Sequence, residues 1–410
     1  MKSTFLREMQ ERGYLNQCTD LEKLDSIMSN KSIPAYIGFD CTASSLHVGS
    51  LLQIMILRLL QKHGHKPIVL LGGGTTLIGD PSGKSSTRKI LKQKDIKKNI
   101  SSIKKLFEKL LNFKSKKIKP IFVDNYSWLG KLNYIDFLRK IGSQFTLNKM
   151  LTFDSVKSRL DREQSLSYME FNYMILQAFD FYKLFEREKC LLQLGGSDQW
   201  GNIVNGVDLI RRILKKGAFG LTSPLITLSS GAKMGKTEKG AVWLDKKLLS
   251  SYDYWQFWRN TDDRDVIKFL KMFTDKDVSE IENIKDKNIN DLKTLLANEA
   301  TTLLHGKAAA IKASDTAKKT FAGGSGDELP VIQIEKDQVN NGLNIIELSI
   351  KTNLFSSKSE IRRTIKNSGL KINNSTVTDE SLIINVSHFE NGVLKLSHGK
   401  KKHVLIKIIG

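Results

Sequence analysis

Residues 33–74 constrain the fold more than any other stretch of this 410-residue chain. Residues 33–39 are a short apolar run; apolar side chains then recur on a helical period from His47 to His63, and Gly64 closes that helix. A second apolar run, 66–71, ends in Gly72, Gly73 and Gly74. Strand, helix and strand in this order make a βαβ unit, which joins parallel strands. It predicts an α/β fold with a doubly wound, Rossmann-like parallel sheet whose ligands sit outside the carboxyl ends of its strands. Runs at 118–123, 191–194 and 225–228 are further strand candidates for the same sheet.

The length suits two or three domains. Residues 1–228 read as the Rossmann-like domain with a helical insertion. From 229 to 320 comes a glycine-flanked lysine loop and then helical periods, as in Val266, Phe269, Leu270 and Phe273, with no strand signal. The segment 321–340 opens Phe-Ala-Gly-Gly-Ser-Gly-Asp-Glu-Leu-Pro, the composition of a flexible linker. Residues 341–410 carry 11 Lys and Arg against 5 Asp and Glu, with helices expected near 344–352 and 358–367 and alternating strands such as 404–408. This is a basic α+β module.

The 65 basic and 43 acidic residues give a net charge of +22, which points to a polyanionic partner. Lysines set among Ile and Asn, as in Lys97-Lys98-Asn99-Ile100, equally fit an AT-rich coding bias. Between 84 and 119 there are 14 Lys and Arg against Asp95 and Glu108, on a helix-patterned stretch whose basic face should be solvated. Three scattered cysteines, Cys18, Cys41 and Cys190, suit neither a disulfide scaffold nor a zinc framework, so no structural metal is expected. The longest apolar run, 54–60, is broken by Arg58 and far shorter than the roughly 20 residues a membrane span needs. Residues 1–13 lack an apolar signal core, so the expected location is cytoplasmic.

Five stretches carry chemistry. Residues 41–50, Cys-Thr-Ala-Ser-Ser-Leu-His-Val-Gly-Ser, run from a loop into a helix, whose free N–H groups and positive dipole end suit a phosphate. Residues 79–85, Gly-Asp-Pro-Ser-Gly-Lys-Ser, look like a P-loop, but the position that needs its first glycine is Ile78, so a P-loop hydrolase or kinase is rejected. Tyr173, Gln177 and Asp180 share one face of a helix that is otherwise apolar, so they should face a cavity or a partner. Residues 195–202, Gly-Gly-Ser-Asp-Gln-Trp-Gly-Asn, follow a strand and suit ribose hydroxyls and carboxylates. Residues 231–237, Gly-Ala-Lys-Met-Gly-Lys-Thr, offer two lysines for phosphates.

In this order the set resembles the class I aminoacyl-tRNA synthetases: His47-Val48-Gly49-Ser50 stands at their HIGH motif and Lys233-Met234-Gly235-Lys236-Thr237 at their KMSKS motif. Within that class the match is to the bacterial-type tyrosyl-tRNA synthetases, carried also by residues 36–40, 79–84, 173–180, 195–202 and 260–266. Residues 356–363 and 369–373 look like an RNA-binding module shared with a ribosomal small-subunit protein. The resemblance implies activation of L-tyrosine with ATP and transfer to the 3′ terminal adenosine of tRNA(Tyr), by a homodimer. Mg2+ would travel with the ATP phosphates. It assigns Thr42, His47, Lys84, Arg88, Lys233 and Lys236 to the phosphates. Tyr36 and Asp180 go to the phenol hydroxyl, Asp80, Tyr173 and Gln177 to the α-ammonium, and Gln199 beside the carboxylate. Gly38, Asp40, Gly196 and Asp198 meet the adenosine moiety, Gly49 and Ser50 bind ATP together with His47 and Lys236, and Lys358, Arg362, Arg363 and Lys366 meet tRNA. Four positions depart from the family pattern: Ser50 for the last His of HIGH, Cys41 for a usual proline, Thr76 for a common glycine, and Gly235 for the serine of KMSKS, where it adds mobility.

Three other readings remain open on the residues alone. One is a related nucleotidyltransferase that activates a small acid without RNA, against which the basic C-terminal module counts. A second is a non-catalytic RNA-binding protein, suggested by Ser50. The third is a tryptophanyl-tRNA synthetase, although Tyr36 with Asp180 suits a phenol better than an indole.

Overall fold

The computed structural model describes residues 1–81, 91–229, 231, 234–237, 240–321, 329–352, 354–399 and 402–409. The chain divides into two compact units. The first holds Met1–Lys236, Ala241–Asp245 and Thr261–Leu292; the second holds Thr237–Gly240, Lys246–Asn260 and Lys293–Gly410. The helical stretch expected over 229–320 is thus shared between them.

In the first unit the elements run α1 (Thr4–Glu11), β1 (Gln17–Cys18), α2 (Leu21–Asn30), β2 (Pro34–Phe39), α3 (Val48–Lys62), β3 (Lys66–Leu71) and α4 (Thr75–Ile78). There follow α5 (Gln93–Leu110), β4 (Ile121–Asp124), α6 (Tyr126–Leu129), α7 (Tyr134–Lys140), α8 (Leu147–Met150), α9 (Asp154–Leu160) and α10 (Tyr168–Glu188). Then come β5 (Leu192–Gly196), α11 (Trp200–Leu214) and β6 (Phe219–Ser223). The sheet order is β1-β6-β5-β2-β3-β4, parallel throughout except for β1 on β6. From β2 the chain moves outward to β3 and β4, then returns to β5 on the other side of β2. That reversal makes a switch point between β2 and β5, where the loops diverge and leave a crevice.

Local sequence explains these elements. In α3, nine of fifteen side chains are buried, Val48, Leu51 and Leu52 through Leu59 and Leu60, so the helix is held between sheet and neighbouring helices rather than lying on the surface. The α10 helix starts with a capping box in which Ser167 Oγ accepts from Glu170 N–H and Glu170 bonds back. The buried Arg159 holds Glu170 at 3.2 Å. The basic helix α5 buries Ile96, Ile100, Ile103, Leu106, Phe107 and Leu110 and turns Lys94, Lys98, Lys105 and Lys109 to solvent.

Two expectations are corrected. Residues 225–228 are not a strand; the strand is Phe219–Ser223, wholly buried beside β5, while Leu225 follows Pro224 and is 50% exposed. Gly217 and Gly220 mask that strand's apolar run in the sequence. The 321–340 segment is not all linker: Val331–Glu335 is a strand paired in parallel with Lys402–Ile409, and Lys336–Asn340 is helical.

In the second unit a five-stranded sheet contains Val331–Glu335, Leu370–Ile372, Ser375–Thr376, Val393–His398 and Lys402–Ile409. The helices Ile345–Lys351 and Lys358–Lys366 close its core through Ile346, Leu348, Ile361 and Ile365. Tyr252 of the helix Ser251–Arg259 packs with Leu329 and Leu405.

Candidate active site

A cavity of about 370 Å3 opens at the switch point, walled by the carboxyl ends of β2 and β5, the start of α3, the loop after β3 and one face of α10. Tyr36, Gly38, Asp40, Thr42, His47, Gly49, Ser50, Asp80, Tyr173, Gln177, Asp180, Gly196, Asp198 and Gln199 all line it. Residues far apart in sequence, from Tyr36 to Gln199, therefore meet in one place. Lys84, Arg88 and Lys233 lie outside the described residues, as does the side chain of Lys236. A larger cleft of about 650 Å3, lined by Glu8, Arg12, Arg58 and Lys62 among others, contains none of these motifs.

At the closed end of the cavity sit Tyr36 and Asp180. The Tyr36 hydroxyl is buried and makes no hydrogen bond among the described residues, a cost that an incoming polar group can remove. Asp180, 2% exposed, accepts from Asn125 Nδ2 at 2.8 Å and from Trp128 Nε1 at 2.7 Å. Burial pushes its carboxyl from an ordinary 3.8 up to about 7. The two hydrogen bonds oppose that rise, and the charges of Asp40 and Asp124 add to it. Burial, with Asp180 nearby, likewise raises the Tyr36 phenol.

Toward the mouth, one polar chain joins the loops. Gln199 Nε2 donates to Asp80 Oδ2 at 2.9 Å, and Asn202 Nδ2 donates to Gln199 Oε1 at 3.1 Å and to Gln177 Oε1 at 3.0 Å. Tyr173 donates to Asp40 Oδ2 at 3.2 Å, and Thr75 donates to Asp40 Oδ1 at 2.9 Å. Thr75 also accepts from Asn125 at 3.1 Å, so Asn125 bridges the Asp40 and Asp180 groups.

The third part is the helix start. His47 caps α3 by accepting the Gly49 N–H on Nδ1 at 3.0 Å. Main-chain bonds from Val48 to Val242 and from Leu244 to Leu46 lay residues 242–244 alongside this turn. A Cβ on Gly49 would stand 2.7 Å from His47 Cε1 and 3.1 Å from the Met234 carbonyl, so only glycine fits. Gly235 has φ +103°, and a Cβ there would lie 2.8 Å from Gly49 N. The helix-start motif and the lysine loop thus touch backbone to backbone. Gly235 is buried in that contact; glycine here meets a packing demand, where mobility was expected.

Asn125, Trp128 and Thr75 are neighbours of the site that sequence reasoning missed, while Asn202 belongs to the stretch 195–202 singled out in the sequence. Asn125 follows Asp124 at the carboxyl end of β4, the position where α/β sheets place ligand-facing residues, and that was the available signal. Trp128 gave none. Lys358, Arg362, Arg363 and Lys366 are all exposed on the helix Lys358–Lys366 of the second unit, with Arg362 3.5 Å from Glu380. Among the described residues no group of three or more acidic, His or Cys side chains could hold a metal, and no helix is long and apolar enough to cross a membrane.

Residues 28–322 match the family described as tRNA synthetases class I (W and Y), and residues 321–406 match the Tyrosine--tRNA ligase SYY-like C-terminal domain. Most of the chain is therefore a class I aminoacyl-tRNA synthetase domain. The chain is 64% identical over 406 residues to a tyrosine–tRNA ligase of Pelagibacter ubique, covering 99% of each, and 53% identical to one of Rickettsia rickettsii, covering 98% of this chain and 100% of that one. A C-terminally truncated mitochondrial tyrosyl-tRNA synthetase of Aspergillus nidulans superposes with a TM-score of 0.69 at 31% identity, over 77% of this chain and 93% of that one. The chain belongs to the tyrosine–tRNA ligase family.

Proposed function

We propose that this cavity binds L-tyrosine at its closed end and ATP at its mouth, joins them as tyrosyl-adenylate, and passes tyrosine to the terminal adenosine of tRNA(Tyr). The observation that carries the reading is the buried pair of Tyr36, whose hydroxyl makes no hydrogen bond among the described residues, and Asp180, an acceptor. A phenol hydroxyl satisfies both; a phenyl ring satisfies neither. Tyrosyl-tRNA synthetase is itself the standard example of a site built to bond a substrate hydroxyl, rejecting phenylalanine by roughly 10⁵; that figure is the family's and is not a value obtained for this chain.

The tyrosine carboxylate is the nucleophile: one oxygen attacks the α-phosphorus of ATP, the bond to the β-phosphate oxygen breaks, and pyrophosphate leaves. No protein nucleophile is required. Asp80, Tyr173 and Gln177 hold the α-ammonium, and Gln199, held by Asp80 and Asn202, lies beside the carboxylate. Gly38, Asp40, Gly196 and Asp198 receive the adenosine moiety, and Gly49 and Ser50 bind ATP. Thr42, His47 and the lysines Lys84, Lys233 and Lys236, with Arg88, stabilise charge growing on the phosphates. Mg2+ accompanying ATP would neutralise part of that charge, with the protein contributing the phosphate-facing residues just named. In the second step a hydroxyl of the terminal adenosine attacks the tyrosyl carbonyl and AMP leaves.

Lys358, Arg362, Arg363 and Lys366 are assigned to the tRNA backbone because their helix turns all four to solvent. A homodimer is assigned to the face carrying Tyr134, Ile135 and Leu138 of α7, which are 59%, 62% and 40% exposed, with Leu147 and Tyr168 further along the chain equally exposed. Such an apolar concentration marks an interface. The setting is the cytoplasm, where tRNA and ATP meet. Labelled tyrosine incubated with ATP and tRNA tests the function: ATP-dependent charging of tRNA(Tyr) is expected, and no charging, or charging with tryptophan instead, overturns it.

A further inference from the structure

The loop that leaves β2 carries Asp40, Cys41 and Thr42, and its middle residue is held at both main-chain groups by side chains from other elements. The buried Cys41 N–H donates to Thr76 Oγ1 on α4 at 2.8 Å. Its carbonyl accepts from Asn99 Nδ2 on α5 at 2.9 Å. Cys41 is fully buried and Thr76 5% exposed, so the bond between them has no water as a ready substitute, while Asn99 is half-buried. Thr76 is in turn fixed by its N–H to the Gly72 carbonyl at 2.9 Å, and Gly72 N–H returns to Phe39 O at 2.9 Å. On one side of Cys41 stands Asp40, held by Thr75 and Tyr173; on the other stands Thr42, which lines the cavity.

Two of the family departures meet in this bond. Proline at 41 has no N–H to give, and glycine at 76 has no hydroxyl to receive it. A chain with proline at 41 and glycine at 76 would hold neither the donor nor the acceptor of this bond. Either change alone leaves a buried polar group without a partner.

We propose that Thr76 and Asn99 are positioning residues for ATP, locking the Asp40–Thr42 backbone without touching a substrate, and that Cys41 and Thr76 act as one unit. The proposal rests on the assignment of Asp40 and Thr42 to ATP. Asp180 at the amino-acid end is reached from this loop only through Thr75 and Asn125, and Tyr173 only through Asp40, so the lock bears directly on the nucleotide and indirectly on tyrosine.

Tyrosine-dependent ATP–pyrophosphate exchange on the full chain tests it, with tyrosine Kd measured separately by equilibrium dialysis. Thr76→Val keeps the shape and removes the acceptor; KM for ATP should rise about tenfold while tyrosine Kd stays within about twofold. Thr76→Ser should restore the wild-type value, which a purely steric role for the methyl would not allow. Cys41→Pro alone should raise KM for ATP similarly, and Cys41→Pro with Thr76→Gly should raise it no further than either change alone, the non-additivity expected of a coupled pair. Asn99→Leu should act in the same direction as Thr76→Val. An unchanged KM for ATP in Thr76→Val, or additive losses in the double variant, overturns the lock. Asp40→Asn separates the two levels. If it raises KM for ATP while Thr76→Val does not, the nucleotide assignment stands and the lock fails. If Asp40→Asn leaves ATP unaffected, the nucleotide assignment itself is wrong and the lock falls with it.

Discussion

The indole N–H of Trp128 donates to Asp180 Oδ1 at 2.7 Å and holds one of the two carboxylate oxygens. With Asn125 on the other oxygen, Asp180 is turned so that its remaining lone pairs are all it can offer a ligand.

Asp180→Ala should therefore weaken tyrosine activation far more than any residual phenylalanine activation. Losing a hydrogen bond to a charged group costs about 1.5–3 kcal/mol, or roughly ten- to more than a hundredfold in kcat/KM. Equal losses for the two amino acids would show that Asp180 supports structure and does not read the hydroxyl. Trp128→Phe, which leaves the carboxylate in place but unaimed, should narrow the tyrosine-to-phenylalanine ratio by less than Asp180→Ala does.

The raised pKa of Asp180 gives a pH signature. The ionised carboxylate is the better acceptor for a phenol, and it dominates only above about 7. Tyrosine Kd should be flat at higher pH and should weaken as pH falls through about 7, by up to about tenfold per unit. Phenylalanine, which lacks the hydroxyl, should show no such limb; a shared limb would place the titration elsewhere.

The Gly49 and Gly235 contact bears on the rate and not on tyrosine affinity. Gly49→Ala would drive a methyl into the His47 ring and the Met234 carbonyl, displacing the lysine loop from the helix start. Single-turnover formation of tyrosyl-adenylate should slow by roughly tenfold or more with tyrosine Kd unchanged, as should Lys236→Ala, since an interaction made in the transition state appears in the rate constant. Weakened tyrosine binding with a normal rate would contradict this.

Glu8 predicts the acid stability of the first unit. Burial alone pushes its carboxyl up, yet hydrogen bonds from Arg12, His63 and Lys62 outweigh that and hold it at about 2 against an ordinary 4.5. A depressed folded-state value contributes stability that is complete above 4.5 and is lost as pH falls from there toward 2. Glu8→Gln should lower Tm at about pH 7, and the gap to wild type should narrow below pH 4.5. A gap constant across that window would assign the effect to packing.

A chain ending at residue 328 should still form tyrosyl-adenylate, because every described cavity residue lies in the first unit. It should melt at a lower temperature, since Tyr252 loses Leu329 and Leu405. Transfer to tRNA should collapse, and the salt dependence of tRNA affinity should flatten by roughly 0.7–0.9 in slope per lost phosphate contact. Full-length charging rates with an unchanged slope would make the basic charge of 341–410 compositional.

How far the site could be read in advance follows from where its information lies. His47, Gly49, Tyr173, Gln177, Asp180 and Asp198 are legible because helical spacing or a strand-to-loop junction groups them within short stretches. Asn125 and Trp128 act through Asp180, 55 and 52 positions away, and no local pattern signals that pairing. The same holds for the Cys41 and Thr76 bond: each departure is visible alone, but only folding brings the N–H to the hydroxyl. In the fold, β2, α3 and β3 are plain from their apolar periods. The Phe219–Ser223 strand is hidden by its glycines, and Val331–Glu335 is a strand because Lys402–Ile409 pairs with it.

The most direct test is ATP–pyrophosphate exchange measured with each of the twenty amino acids in turn. Exchange should appear with tyrosine and with no other at comparable concentration, because only its hydroxyl meets both Tyr36 and Asp180. Exchange strongest with tryptophan, or absent with every amino acid, would contradict it.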